Sequence, residues 1–414
     1  MANTFKSNLE TKNDSEAFKT SLDSGQKVAL ADELPPELLV HIFEMAQNMF
    51  FPLEQHLSGG FPFVLGKVSR YWRQVAYGAP TLWSNVDISL RRDLGGLQVY
   101  LGRSKDSPID LNITFAPTLR QRGVSTLIGI LQPHYRRCRS IILRSEPCYK
   151  FCREILSIFG SMCQGHYPML QHICGDGLDI SLNLQPFAIV ADAVDLTSVR
   201  LRGLGLRYCR PPLTAVTQLH LAVSNCPILY TDFSKMLRSC RSLVTLCVYE
   251  DFDRGWPTDF HDTYEMPFLR YLRIFGDMLE VSDFLLSMSA PDLEELTIVP
   301  FVQSDLAKLR RETSDAPQFP ALVSLTLAPA HANLLGLRVV ADANACFPGI
   351  KLLILPDCDE LSFAKPFITT HSLLFWPELD GLAVRDIDDP DLLYKFVQFR
   401  QDRKSTRLNS SHRR

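Results

Sequence analysis

The residues best equipped for chemistry cluster between positions 138 and 174: Cys138, Cys148, Cys152, Cys163, His166, His172 and Cys174. Zinc needs about four converging ligands, and Cys148-x3-Cys152 with Cys163-x2-His166 could supply two pairs. The first pair also stands at helical spacing beside Phe151, Ile155 and Leu156, which suits a buried helix face, so the expectation is no metal and no cofactor. No G-x-S-x-G nucleophile turn and no phosphate loop occurs. Asp388-Asp389 precede Pro390 and read as a solvated turn, while His134, His220 and His331 are isolated and read as surface or core residues. The run Tyr135-Arg136-Arg137-Cys138-Arg139 could meet an acidic partner but reads first as a solvated face. These residues assemble no catalyst, and the chain is expected not to be an enzyme.

Composition narrows the setting. The chain has 414 residues, 46% hydrophobic and 21% charged, with a net charge of -3. A near-neutral surface gives no general drive towards nucleic acid or an anionic membrane, so neither is an expected partner. Eleven cysteines, an odd number without a compact framework, point to reduced thiols in the cytoplasm or nucleus. The first thirty residues are polar and charge-mixed, lack the apolar segment of a secretory signal, and read as a disordered arm. The stretch Leu322 to Leu337 is broken by Ser324, Thr326, Pro329, His331 and Asn333. It is therefore read as buried core, since a membrane span needs about 20 mostly apolar residues.

The first organised segment opens at Asp32-Glu33-Leu34-Pro35-Pro36-Glu37, where an acidic residue, prolines and then Glu37 predict a helix start. Leu38, Leu39, Ile42, Phe43, Ala46 and Phe50 follow at steps of three and four, an apolar stripe on one helix face. Pro52 to Pro62 reads as a loop, and Val64, Leu65, Val68, Trp72, Val75 and Ala76 mark a second helix stopping at Gly78-Ala79-Pro80. So few short helices bury little surface alone.

Leu34-Pro35-Pro36-Glu37-Leu38-Leu39-Val40-His41-Ile42-Phe43, followed by Val64-Leu65-Gly66-Lys67-Val68-Ser69-Arg70-Tyr71-Trp72-Arg73-Gln74-Val75-Ala76, resembles the F-box. The continuation Gly78-Ala79-Pro80-Thr81-Leu82-Trp83 is similar to the large F-box-like family of mushroom-forming fungi. The resemblance covers residues 32 to about 88. It departs at Ser69, where that family often has cysteine, and in a somewhat long insert between the helices. The resemblance implies binding to a Skp-type linker subunit, itself held by a cullin. Carried over by position, the implied contacts are Leu34, Pro35, Leu38, Leu39, Ile42, Phe43, Val68 and Trp72.

Beyond residue 80 a template recurs: apolar, two variable positions, apolar, one variable, apolar. Clear copies are Leu196 to Leu201, Leu243 to Val248, Leu269 to Ile274, Leu293 to Ile298, Leu322 to Leu327, Ile350 to Leu355 and Leu379 to Val384. Weaker ones lie at Leu170 to Ile173 and Val216 to Leu221, and the least regular near Leu82 to Ile88 and Ile109 to Ile113. The period falls at or close to that of leucine-rich repeats, and the final alternation places two side chains inward on a short strand. Proline precedes several copies, as in Tyr167-Pro168, Phe347-Pro348 and Trp376-Pro377.

The expected fold is therefore α/β: a small all-α F-box module followed by an irregular leucine-rich-repeat-like solenoid. The expected division is an arm at 1–30, the module at 31–88, the repeat-like region at 89–402 and a non-structural tail at 403–414. Lys404 to His412 resemble translated adaptor or vector sequence. Proteins with an F-box and such repeats use the repeats to select a target. The resemblance thus implies a substrate-recognition adaptor of a Skp-cullin-F-box ubiquitin ligase, with a protein target left unidentified. The alternative is a repeat scaffold that binds proteins without any ligase.

Overall fold

The computed structural model describes residues 34–50, 60–89, 94–115, 121–145, 153–176, 190, 192–202, 210–222, 230–249, 263–275, 281–301, 303–313, 317–329, 337–356, 375–384 and a few positions between 391 and 401. The arm at 1–30, Cys148, Cys152, His331, Asp388-Asp389 and the tail at 403–414 lie outside them. The chain divides into two compact units, Met1–Trp83 and Ser84–Arg414.

In the first unit, α1 (Pro36–Phe50), α2 (Phe61–Leu65), α3 (Arg70–Gly78) and a 3-10 turn (Pro80–Trp83) are all short. Helix α1 carries Glu37 in its first turn, where a negative charge complements the free N–H groups. It buries Leu39, Phe43 and Gln47, one residue per turn on one face, and the Gln47 amide donates to the Leu82 carbonyl at 3.3 Å. Ser69 caps α3, its hydroxyl accepting from the Trp72 N–H at 3.1 Å. Trp83 is fully buried, donates to the Ala76 carbonyl at 2.9 Å and stands edge-on to Phe63 and Tyr77.

The second unit alternates strands and helices. In chain order these are β1 (Asn85–Ser89), α4 (Gly95–Arg103), β2 (Ile109–Phe115), α5 (Gln121–Leu131), β3 (Cys138–Ser145), α6 (Arg153–Cys163), β4 (His172–Asp176), β5 (Ser198–Arg202) and β6 (Gln218–Ala222). There follow α7 (Tyr230–Ser239), β7 (Thr245–Tyr249), β8 (Tyr264–Glu265), β9 (Tyr271–Phe275), α8 (Val281–Leu286), β10 (Met288–Ser289), β11 (Glu295–Phe301) and α9 (Gln303–Glu312). The unit ends with β12 (Ser324–Pro329), α10 (Leu337–Cys346), β13 (Leu352–Leu355) and β14 (Gly381–Val384).

Twelve of the strands form one sheet in the order β1-β2-β3-β4-β5-β6-β7-β9-β11-β12-β13-β14, and every pairing in it is parallel. The small strands β8 and β10 pair only with each other. Inward residues stack in register: Val199, Leu219, Leu246, Leu272, Leu296, Leu325 and Leu353 form one aliphatic column across seven strands, all 1% exposed or less. Helix residues such as Leu127, Phe159, Phe233, Phe284, Leu309 and Ala343 join the same apolar core. On the helix layer, Asp283 pairs with Lys308 and Asp342 with Arg310, tying α8 to α9 and α9 to α10.

The turn into each strand is as regular as the strand. The carbonyl of Gln171 accepts from the N–H groups of both Thr197 and Ser198. The same double acceptance recurs at Thr197, Thr217, Val244, Arg270, Glu294, Val323 and Lys351, the last serving Asp380 and Gly381. Beneath it sit the residues before the turn prolines, Tyr167, Met266, Ala290, Phe319, Phe347 and Trp376, all buried. Trp376 is held twice: its backbone N–H donates to the Asn344 side chain and its indole N–H to the Phe347 carbonyl, each at 2.7 Å.

This architecture corrects the fold expected from the sequence. The chain is not a small all-α module followed by a solenoid; its dominant feature is one large twelve-stranded parallel sheet with helices, and of the expected fold only the α/β class holds. The physical reason is that a six-residue apolar template reports a strand and its turn but not what the strand pairs with. Backbone hydrogen bonds join all these strands into one ladder. That ladder includes Asn85–Ser89, which falls within the 31–88 bounds implied by the resemblance and at the irregular template copy near Leu82 to Ile88.

Leu272→Ala in the middle of this sheet removes a side chain with no exposed surface and should cost about 2–5 kcal/mol. Thr297→Ala, on the opposite face of the adjacent strand, should stay within about 0.5 kcal/mol. Guanidinium unfolding midpoints at unchanged slope test the contrast.

Candidate binding surfaces

In the first unit, α1 carries more apolar surface than it buries. One position round the helix from the buried Leu39 and Phe43 lies a second stripe, Leu38, Ile42, Met45 and Met49, and all four are exposed. Leu38 is 54% exposed and Met49 73%. Val64 on α2 and Val68 just after it are also exposed, at 56% and 60%.

The eight residues implied as linker contacts therefore separate. Pro35, Leu38, Ile42 and Val68 are exposed, and Leu34 is half-buried with its carbonyl accepting from the Tyr71 hydroxyl at 2.6 Å. Leu39 and Phe43 are 1% exposed and belong to the interior of the unit. Trp72 is half-buried, its ring tilted against Phe43 at 4.8 Å between centroids. Met45, Met49 and Val64 are exposed as well and were not among the implied contacts, although Met45 and Met49 continue the 38-42 spacing. Ser69, the departure from the family pattern, has a local role as the cap of α3.

In the second unit, the sheet face opposite the apolar core presents the alternate residues of each strand. Parallel sheets usually have both faces covered and read as continuous apolar runs. Here strands such as β5 alternate buried and exposed residues, so one face is open. Register lines the outward residues into rows: Arg200, His220, Cys247 and Arg273 in one, and Arg202, Ala222, Tyr249 and Phe275 in the next. Tyr249 and Phe275 stack at 4.7 Å with ring planes 4° apart. Arg202 reaches Asp176 at 3.6 Å, and Arg273 reaches Glu295 at 3.9 Å. A cleft of about 480 Å³ opens among Asp176, Arg200, Arg202, His220, Ala222 and Tyr249.

The electrostatics follow from that packing. Burial first, then the charges of Arg200 and Arg273, hold the His220 imidazole below its ordinary pKa, so it is neutral at pH 7. Cys174 and Cys247 lie in the same row as Arg200, and burial pushes both thiols up despite it. Neither is an activated nucleophile, which needs a depressed thiol pKa.

The described members of the cysteine and histidine cluster take separate places, and Cys148 and Cys152 lie outside the described residues. Cys138 is buried and its thiol is pushed up to about 12 by burial. His166 pairs with Asp192, whose carboxylate also accepts the Tyr167 N–H at 3.1 Å and so fixes the turn before β4. Cys163 is a free thiol at the end of α6, and His172 is exposed at the start of β4. Among the described residues no three His, Cys, Asp or Glu side chains are placed to hold a metal ion. The basic run 135–139 is likewise split. Arg137 donates to Ser104 Oγ at 2.9 Å, the Ser107 carbonyl at 3.0 Å and the Leu101 carbonyl at 3.0 Å. Arg139 pairs with Asp110, and only Arg136 and Arg139 are exposed.

Sequence reasoning missed Arg144, Arg200, Arg202, Arg273, Tyr249 and Phe275 as a group. The available signal was positional: Arg200 and Arg273 fill the single variable position between the last two apolar residues of their templates. No helix among the described residues is long and apolar enough to cross a membrane. No protein-family model matches the chain, and no curated protein matches it.

A proton NMR titration should place the His220 pKa below 6.5, and Arg200→Gln should raise it towards that value. The depressed pKa means that the unfolded chain binds the proton first. His220's contribution to stability is therefore complete above pH 6.5 and is lost as pH falls from there through the lower native value.

Proposed function

We propose that the chain is a substrate-recognition adaptor of a Skp-cullin-F-box type ubiquitin ligase. The helices of residues 34–83 dock on the linker subunit, and the open sheet face takes a protein target. The observation that carries this reading is the exposed stripe of Leu38, Ile42, Met45 and Met49 with Val64 and Val68, on helices whose sequence resembles an F-box. Several large apolar side chains exposed on so few helices are characteristic of a surface that a partner covers. Leu39, Phe43 and Trp83 support the patch from beneath and so hold the exposed residues in a fixed geometry.

In this reading the protein performs no bond chemistry. It raises the effective concentration of a target lysine near a ubiquitin-charged enzyme brought by the cullin, and proximity supplies the rate gain. The residues in the sheet cleft then act as recognition groups, and the neutral His220 and the raised thiols of Cys174 and Cys247 have no catalytic task.

Co-purification with a fungal Skp-type linker tests the assignment. Wild type should bind one linker per chain, and Leu38→Asp with Ile42→Asp should abolish binding while leaving the thermal midpoint unchanged, because both side chains already face solvent. Phe43→Ala should instead lower stability by about 3–5 kcal/mol, because it empties the interior of the unit. A folded wild-type chain that binds no linker would sink the ligase reading and leave a protein-binding scaffold.

A further inference from the structure

The cleft on the open sheet face has a charge imbalance that nothing in the fold requires. The outward positions of β3 to β9 hold four arginines, Arg144, Arg200, Arg202 and Arg273, against one carboxylate, Asp176. Arg202 and Arg273 have loose ion pairs with Asp176 and Glu295. Arg144 acts on the Asp87 carboxylate of β1, whereas Arg200 meets no carboxylate within ion-pair distance among the described residues. One guanidinium at the cleft, that of Arg200, therefore has no ion-pair partner among the described residues and stands beside Arg202, although like charges so placed repel one another.

The relief of the cleft has an equally local cause. Adjacent strands stand about 4.8 Å apart, so Arg202 and Tyr249, two strands apart, are about 10 Å apart. Between them is Ala222, whose methyl group leaves a depression floored by the sheet. Its volume of about 480 Å³ falls within the range of small-ligand sites. One wall carries Arg200 and Arg202, with the Asp176 carboxylate beside Arg202. The other is aromatic, with Tyr249 backed by the stacked ring of Phe275. His220 lies between Arg200 and Cys247 in the adjoining row and adds a neutral ring nitrogen as a hydrogen-bonding group.

We propose that this cleft binds a phosphate monoester, with Arg200 and Arg202 donating to the phosphoryl oxygens and Tyr249 packing on the carbon skeleton that carries them. A phosphate monoester brings close to two negative charges at neutral pH and three acceptor oxygens in a tetrahedron. Arg200 and Arg202 stand two residues apart on β5, and their planar donor forks suit oxygens arranged in this way. A carboxylate offers two oxygens in one plane, fewer acceptors than the two donor forks can engage. The reach of Arg200 over the floor is visible in its electrostatic effect on His220, Cys174, Cys247 and Tyr249 together. The phosphate could be carried by a side chain of a protein target or by a free metabolite. The site stands on the sheet alone and is testable without a linker subunit, so its failure and that of the adaptor reading are distinguishable.

Calorimetric titration of the full chain with phenyl phosphate is the direct experiment. Wild type should bind one equivalent. Arg200→Gln and Arg202→Gln should each weaken binding about tenfold or more, Arg200→Lys should retain part of it, and benzoate should bind more weakly than phenyl phosphate. Arg241→Gln, an exposed change in the turn before β7, should leave binding unaltered. Arg200 is exposed, so an unchanged thermal midpoint confirms that its variants remain folded. A phosphotyrosyl hexapeptide that binds at least tenfold tighter than phenyl phosphate assigns the site to a phosphorylated protein segment; equal affinity assigns it to a free phosphate monoester. Absence of saturable phenyl phosphate binding by the folded chain overturns the proposal, as does wild-type affinity in Arg200→Gln.

Discussion

Register within the parallel ladder is the constraint on which the rest of the second unit depends. Each strand is only four to eight residues long and brings one to three inward aliphatic side chains, far too few to form an interior. They become an interior when Val199, Leu219, Leu246, Leu272, Leu296 and Leu325 fall into one column and Leu201, Leu221, Val248, Ile274, Ile298 and Leu327 into the next. A slip of one residue would turn Gln218 and His220 inward and Leu219 and Leu221 into water. What prevents the slip is the turn. One carbonyl takes two successive N–H groups from the next strand, and a buried residue ahead of each turn proline fixes where the chain enters.

A fixed register leaves the opposite face free of structural duty, and its chemistry varies from strand to strand. Ser198, Gln218, Thr245 and Tyr271 occupy equivalent places, as do Arg200, His220, Cys247 and Arg273. Depth on this face is set by the smallest residue in a row. Cys247 is 1% exposed although it points away from the core, because His220 and Arg273 flank it. Ala222 makes a hollow because Arg202 and Tyr249 flank it. The helices of the first unit obey a related rule. A short amphipathic helix that is apolar round more than its buried face must expose the remainder, as α1 exposes Leu38 and Ile42.

The sequence made the strands legible and their assembly illegible. Leu269, Leu272 and Ile274 can be read as two inward residues and an anchor because burial imposes a period of two on a strand, whatever surrounds it. Nothing in that local pattern says that the strands form one ladder, although the irregular copy near Leu82 to Ile88 already marks Val86 and Ile88. The edge shows the dependence on neighbours: Leu382 and Val384 in β14, the last strand, remain half-buried while their counterparts in β13 are 1% exposed. On α1 the apolar spacing identified a face but could not decide which half was covered. Leu38 and Leu39 differ by about 100° around the helix, and only packing distinguishes the exposed one from the buried one. The arginines of the sheet were invisible for a simpler reason, since a charged residue in a variable strand position is compatible with any solvated surface.

Residue type alone therefore separates structure from recognition poorly, and hydrogen-bond satisfaction separates them better. Arg137 and Arg200 both lie in the sheet unit, and the sequence singled out a run containing the first. Yet Arg137 spends its guanidinium on Ser104, Ser107 and Leu101, which stitches the end of α4 to the turn before β3. Its donors are consumed by the fold, and a ligand would have to displace them. Arg200 makes no hydrogen bond or ion pair among the described residues, and its charge acts only at a distance, on a histidine, two thiols and a phenol around a hollow. A strand needs no charge at that position to keep its register, and an exposed guanidinium beside a cavity adds little to the stability of the free protein. Its five donors are available to whatever enters.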